Sequence, residues 1–376
     1  MRLLQWFTVV LMCCFVISLA DMAEAQSLTI TPYGYLKLDM AYDQARTNNG
    51  NFMMWLDPAA EEDDEFNLTV RQTRLGALFA VDRGLEVTGQ FEMDFYGDAV
   101  SPDMGGMENK NMPMLRHAFM KVNFGRWYLL AGQTWDVISP LIPNTLNYSV
   151  LWNQGNIGFR VPQLRVGTTI RRFELIGALT RNIPGDSDGD GNDDGEDSGM
   201  PALQASVSYR TDCLNIGVSG NYATGEYKNV RLEDDTYTTS SFNVHASWQL
   251  TERLRVQGEA FSGQNLAQHF GGISQNFRGL MDVKTVGGWA DATVTVRDGN
   301  TITLGASMDD PDEDSVNAFP TRIFNSTVYA NMFCTIAPHT QFSTEVSYLT
   351  TKFFTNLGAE DEISGVRLHS ALIFTF

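Results

Sequence analysis

From residue 26 onward, apolar side chains recur at every second position in segment after segment, the period of a strand rather than a helix. In VTGQFEMDF, Val87, Phe91, Met93 and Phe95 share one face, and Thr88, Gln90, Glu92 and Asp94 share the other. SFNVHASWQL sets Phe242, Val244, Ala246, Trp248 and Leu250 against Ser241, Asn243, His245, Ser247 and Gln249. LNIGVSGNY, NTITLGASM and QFSTEVSY repeat the pattern. A β-sandwich would alternate in the same way, so the connections must discriminate. Short turns (Asp82–Gly84, Phe124–Arg126, Thr251–Arg253, Arg297–Asn300, Ala337–Thr340) alternate with long polar segments. The long segments are Ala45–Phe66, Tyr96–Pro113, Asp136–Asn156, Ile183–Met200, Gly225–Thr239, Gly263–Val283, Asp309–Thr321 and Thr355–Gly365. This rhythm predicts an all-β fold, a transmembrane antiparallel β-barrel of about 16 strands. Closure follows from physics, because every unpaired edge amide in lipid costs several kcal/mol. A barrel of that size leaves an aqueous lumen.

The ends of the chain place it. Arg2, the apolar run Leu3–Ala20 and the Ala23-Glu24-Ala25 site read as a signal peptide over residues 1–25, leaving 26–376 as the barrel. The last strand, VRLHSALIFTF, ends on Phe376 with aromatic side chains at alternate positions, similar to the signal that outer-membrane proteins present to the barrel-assembly machinery. The expected location is the bacterial outer membrane, among lipid and lipopolysaccharide. A net charge of −19 argues against nucleic acid as a partner. Cys13 and Cys14 fall in the removed segment, and Cys213 and Cys334 are expected to be free thiols.

Several stretches together resemble the DcaP-like porins: YGYLKLDMAYD, VRQTRLGALF, LRHAFMKV followed by AGQTWD, FRVPQLRV, GQNLAQHFGGI, GGWADATV, MDDPDED and EVSYLTTKFF. They spread over nearly the whole chain after residue 25. The resemblance implies a homotrimer of sixteen-stranded channels, not an enzyme, passing small anionic solutes, notably dicarboxylates. Some members carry an N-terminal coiled coil; here the first strand starts within a few residues of the cleavage site.

A channel works through the field in its constriction. The candidate constriction residues are Lys37, Arg74, Arg116, Arg160, Arg165 and Asp136. A mid-strand arginine facing lipid costs about 2–4 kcal/mol, so these should face the lumen. Alternatively, they balance lumen carboxylates such as Asp39, Glu92 and Asp94. Arg71 and Arg74 differ by three positions and Arg160 and Arg165 by five, so neither pair shares a face of a regular strand; one member lies in a rim, or a bulge shifts the register, for which Pro162 offers a place. The third long segment is less polar than the others, with Ile138, Leu141, Ile142, Leu146, Val150 and Leu151 to bury, and is expected to fold inward or to pack over the trimer axis.

The acidic external loop 183–200 contains DSDGDGNDDGED. Asp186, Asp188, Asp190, Asn192, Asp194 and Asp197 follow the spacing of a calcium loop with Asp in place of the final Glu, although strands rather than helices flank it. Calcium there, or a loop weakly collecting divalent ions, are the two expectations. Five scattered histidines show no metal-ligand spacing. Two rival functions stay open: a plugged barrel whose loops bind partners, and a lipid hydrolase using Ser370 beside His369.

Overall fold

The alternating segments form one antiparallel sheet that closes on itself. The computed structural model describes residues 28–376 except 49, 58–62, 84, 98–110, 183–184, 187–188, 230, 232, 278–280 and 317–320, so the predicted signal peptide lies outside the described residues. In chain order the strands are β1 (Leu28–Asp43), β2 (Glu65–Thr69), β3 (Arg74–Arg83), β4 (Leu85–Asp94), β5 (Met114–Phe124) and β6 (Trp127–Trp135). Next come β7 (Arg160–Ile170), β8 (Phe173–Thr180), β9 (Ala202–Arg210), β10 (Leu214–Lys228), β11 (Asp234–Gln249) and β12 (Leu254–Gln264). The chain ends with β13 (Lys284–Arg297), β14 (Asn300–Pro311), β15 (Thr321–Ala337), β16 (Thr340–Phe354) and β17 (Glu360–Thr375). β2 and β3 are two halves of one stave, because both pair with β1, over Asp39–Asp43 and Leu28–Tyr35 respectively. The barrel therefore has sixteen staves, as the spacing predicts, and β1 closes it by pairing with β17 from Tyr35↔Thr375 to Asp43↔Arg367.

The wall is inside-out. On β11, Thr239, Ser241, Asn243 and His245 are buried, whereas Phe242, Val244 and Trp248 are exposed. On β17, Arg367, His369 and Ala371 are buried, and Leu368, Leu372 and Phe374 are exposed. A water-soluble protein shows the opposite distribution. An apolar outer band around a polar interior is the arrangement a bilayer demands.

Three features differ from expectation. The segment Gly225–Thr239 is mostly strand: β10 and β11 pair through Gly225↔Tyr237 to Lys228↔Asp234, leaving only residues 229–233 as connection. Thr355–Gly365 likewise shrinks to 355–359. Polarity marks a segment as wet, and a hairpin standing above the apolar band is wet while fully paired. The acidic connection between β8 and β9 also holds a short helix, α1 (Asp194–Asp197).

Candidate functional site

Local irregularities of the wall bring the cations together. The expected bulge at Pro162 is absent, since β6 and β7 pair regularly through Gln133↔Pro162. The register shift falls instead on β5: Glu92 faces His117 and Met93 faces Leu115, so Arg116 is the extra residue. A bulge lets two successive side chains turn to one side, and both Arg116 and His117 are buried. The parity of Arg71 and Arg74 is resolved by the break between β2 and β3. There Gln72 and Thr73 leave the ladder to bond Lys37, through a 2.7 Å bond from Nζ to Gln72 Oε1 and a 3.1 Å bond from the backbone N–H to Thr73 Oγ1.

The patch that results contains strong pairs. Arg116 donates from Nε to Glu92 Oε1 at 2.6 Å and from Nη1 to Asp94 Oδ2 at 2.7 Å. Lys37 Nζ lies 3.0 Å from Asp39 Oδ1, which also sits 2.9 Å from His369 Nε2. Arg74 Nε is 3.9 Å from Glu92 Oε1, with its guanidinium over the Tyr35 ring. Arg71 donates to the Phe95 carbonyl and lies over Tyr96.

Arg160 differs from these. It is buried, yet forms no ion pair among the described residues, and its Nε and Nη2 have no hydrogen-bond partner there. Three rings hold it instead: the guanidinium carbon is 4.7 Å from the Trp135 centroid, 4.7 Å from Phe159 and 5.7 Å from Trp152. Aromatic faces stabilise a cation by about 0.5–2 kcal/mol without neutralising it. Arg160 is thus a buried cation, two of whose N–H groups have no acceptor among the described residues. Among the described residues, four basic side chains (Lys37, Arg74, Arg116, Arg160) stand against three carboxylates (Asp39, Glu92, Asp94), which leaves a basic excess.

Arg165 and Asp136 make different contacts. Arg165 bonds Gln163 Oε1 at 2.9 Å and the Trp135 carbonyl at 2.5 Å, bracing β6 against β7. Asp136 ties the two ends of the 136–159 segment, its backbone N–H donating to Phe159 O at 2.9 Å and its Oδ2 accepting from Phe159 N at 3.1 Å.

That segment meets the other half of the barrel. Glu259 on β12 accepts from Leu141 N at 2.8 Å and from the Ser139 hydroxyl. Asp291 on β13 accepts from Asn144 N at 2.8 Å. Glu345 on β16 accepts from Leu146 N at 2.7 Å, from the Thr145 hydroxyl at 2.9 Å and from Asn147 Nδ2 at 2.7 Å. Leu151, Trp152, Asn153 and Gln154 are buried: Gln154 Nε2 donates to Met53 O, and Asn325 Nδ2 bonds both Met54 O and Asn153 O. Tyr148 returns to the basic patch, donating to Asp94 Oδ2 at 2.7 Å and stacking on Tyr96 with centroids 3.9 Å apart. Burial pushes the Tyr148 phenol up to about 12, against the pull of Arg160 and Arg116.

Sequence reading missed the aromatic cage and the three anchoring carboxylates. Glu259, Asp291 and Glu345 do lie at inward positions of their strands, so parity could have flagged them; Trp135, Trp152 and Phe159 gave no such signal.

Among the described residues, which leave out Asp188, no three His, Cys, Asp or Glu side chains are grouped so as to hold a metal ion. Asp186 accepts from the backbone N–H groups of Gly189 and Gly191, and Asp190 accepts from Asn192 N. Asp194 turns inward to accept from the Tyr237 hydroxyl at 2.7 Å. Asp197 lies in α1, and Asp188 lies outside the described residues. His369 and Ser370 point to opposite faces, His369 to Asp39 and Ser370 to Thr344 Oγ1. Cys213 and Cys334 are free.

No family model and no curated protein matches the chain. Solved structures do. The outer membrane channel DcaP of Acinetobacter baumannii is 18% identical, with 93% of this chain and 98% of that chain covered and a TM-score of 0.74. The anion-selective porin from Comamonas acidovorans is 14% identical, with 93% and 100% covered and a TM-score of 0.63. The trimer form of OmpT, an outer membrane protein of Vibrio cholerae, is 11% identical, with 93% and 100% covered and a TM-score of 0.60. At these identities the likeness is one of fold: the chain is built as a closed sixteen-stranded barrel of the kind seen in outer-membrane channels.

Proposed function

We propose that this protein is a porin of the bacterial outer membrane, a water-filled channel for passive diffusion of small hydrophilic solutes that prefers small anions. The apolar outer band and polar interior suit a bilayer, and the similar solved folds are outer-membrane channels, one of them described as anion-selective. Assembly as a homotrimer is supported by the trimeric form of OmpT. The strand ending at Phe376 would present the chain to the assembly machinery.

We read the segment 136–159 as the element that narrows the lumen. Residues 139–147 bond to β12, β13 and β16, Tyr148 to the patch on β4 and β5, and Asn153 and Gln154 to β15, a path that crosses the interior. Its neutral donors occupy the carboxylates of one wall, while the opposite wall keeps an excess of cations. A solute passing between them meets a transverse field that favours anions.

The observation that carries the anion preference is Arg160, caged by three rings and without an acidic partner among the described residues. Single-channel recording in a planar bilayer tests both parts. Conductance steps in threes, with an anion-favouring reversal potential under a salt gradient, are expected. Arg160→Gln should move that potential toward cation selectivity while steps persist. A silent membrane with folded protein would point instead to a plugged barrel, for which the tightly buried stretch Leu151–Gln154 is the structural argument.

A further inference from the structure

A second basic place lies away from the patch, at the short-turn end of the barrel. A cavity of about 460 Å³ on the inner face of β11–β16 is lined by Gln249, Arg253, Arg255, Thr293 and Gln341 and roofed by Asn144 of the 136–159 segment. The sheet register explains the grouping. Gln249, Arg255, Thr293 and Thr303 stand side by side across four neighbouring strands, all at inward positions. Asn144 Nδ2 donates to Thr303 Oγ1 at 2.6 Å and to Thr293 Oγ1 at 3.3 Å, which fixes the roof to that row.

The chemistry of the lining is one-sided. It contains two guanidinium groups, amides and hydroxyls, and no carboxylate. Neither Arg253 nor Arg255 forms an ion pair among the described residues, with Glu252 and Asp298 of the flanking turns or with any other acid. The next carboxylate up the wall, Asp291, has its Oδ2 held by Asn144 N at 2.8 Å and Gln257 Nε2 at 3.1 Å; its Oδ1 has no hydrogen-bond partner among the described residues, and Arg255 acts on it by charge without pairing with it. Two forked cations among neutral donors match an oxyanion, which can accept from a guanidinium in parallel pairs. The volume falls in the range of small-molecule sites.

We propose that Arg253 and Arg255 form a second anion site for a small oxyanion, carboxylate or phosphate in type, that receives a solute after it passes the 136–159 segment. This rests on the porin reading. Conduction needs sites that bind enough to draw a solute in and weakly enough to release it, and two cationic stations at different depths meet that need.

The test is block of chloride current by inorganic phosphate added to one chamber at a time. Orientation is read from which chamber lets a thiol reagent too large to pass the pore reach Cys213, exposed in the turn between β9 and β10 at the same end as the site. Phosphate from that side should block, and Arg253→Gln with Arg255→Gln should weaken the block roughly threefold to tenfold. Block from the other side, met first by the Arg160 patch, should stay unchanged. Arg255→Lys should restore part of the lost block, and Arg253→Gln alone, at an exposed position, guards against a double variant that fails to fold. Normal steps with block unaltered from both sides in the variants would overturn the second site and leave the porin standing. Absence of steps in the wild type would overturn the channel itself, and the site with it.

Discussion

Arg116 and Arg160 are both buried, basic and close together, yet their partners give them opposite roles. Arg116 is neutralised by Glu92 and Asp94, so Arg116→Ala would leave two carboxylates buried side by side and should destabilise the barrel by about 3–5 kcal/mol, read as earlier thermal loss of the compact gel-migrating form. Arg160→Gln breaks no ion pair, and the same assay should change far less while selectivity shifts. Tyr148 adds a pH dependence. Its folded-state phenol is raised from 10.0 to about 12, so its contribution is fully present below pH 10 and is lost as pH rises toward 12. Thermal unfolding followed upward from about pH 9 should show this loss in the wild type and less of it in Tyr148→Phe. Gly132 is a constraint of another kind: at φ 125° a side chain is strained, and a Cβ would run into the Ala118 carbonyl of β5. Gly132→Val should therefore disturb the β5–β6 pairing, which begins at Ala118, two residues after Arg116.

Among elements, the segment 136–159 depends most on partners far along the chain. Its anchors are single carboxylates accepting several bonds, each charge-assisted bond contributing about 1.5–3 kcal/mol. Glu345→Ala removes the acceptor for Leu146, Thr145 and Asn147 together. Larger and noisier conductance is the expected outcome, with Glu345→Gln intermediate because an amide oxygen still accepts; unchanged steps in Glu345→Ala would refute the narrowing role. The strands themselves were legible from period alone, since their inward and outward sets follow from alternation. The bulge at Arg116 and the break at Val70–Thr73 were not, because each depends on how neighbouring staves meet, and a single strand carries no record of that.

For the whole molecule, the outer band predicts its own sensitivity. An arginine introduced at an outward mid-strand position, such as Val244→Arg, should cost about 2–4 kcal/mol in lipid, measured by chemical unfolding in bilayers, whereas polar changes at inward Asn243 should cost much less. Closure also joins the first and last strands, with Phe376 N–H bonding Gly34 O at 3.1 Å and Gly34 N–H bonding Phe376 O at 3.2 Å.

By itself, the sequence determined the class of fold, the number of staves, the inward parity of most side chains and the uneven length of the connections. These are properties of period and polarity, written locally every few residues. Only the tertiary structure decided which charges cancel and which remain, because that depends on contacts such as Glu345 with Leu146 and Arg160 with Trp152, set by the closing of the barrel and the course of a loop. The excess of charge in a lumen is a difference between paired groups, and pairing is a property of space rather than of order along the chain.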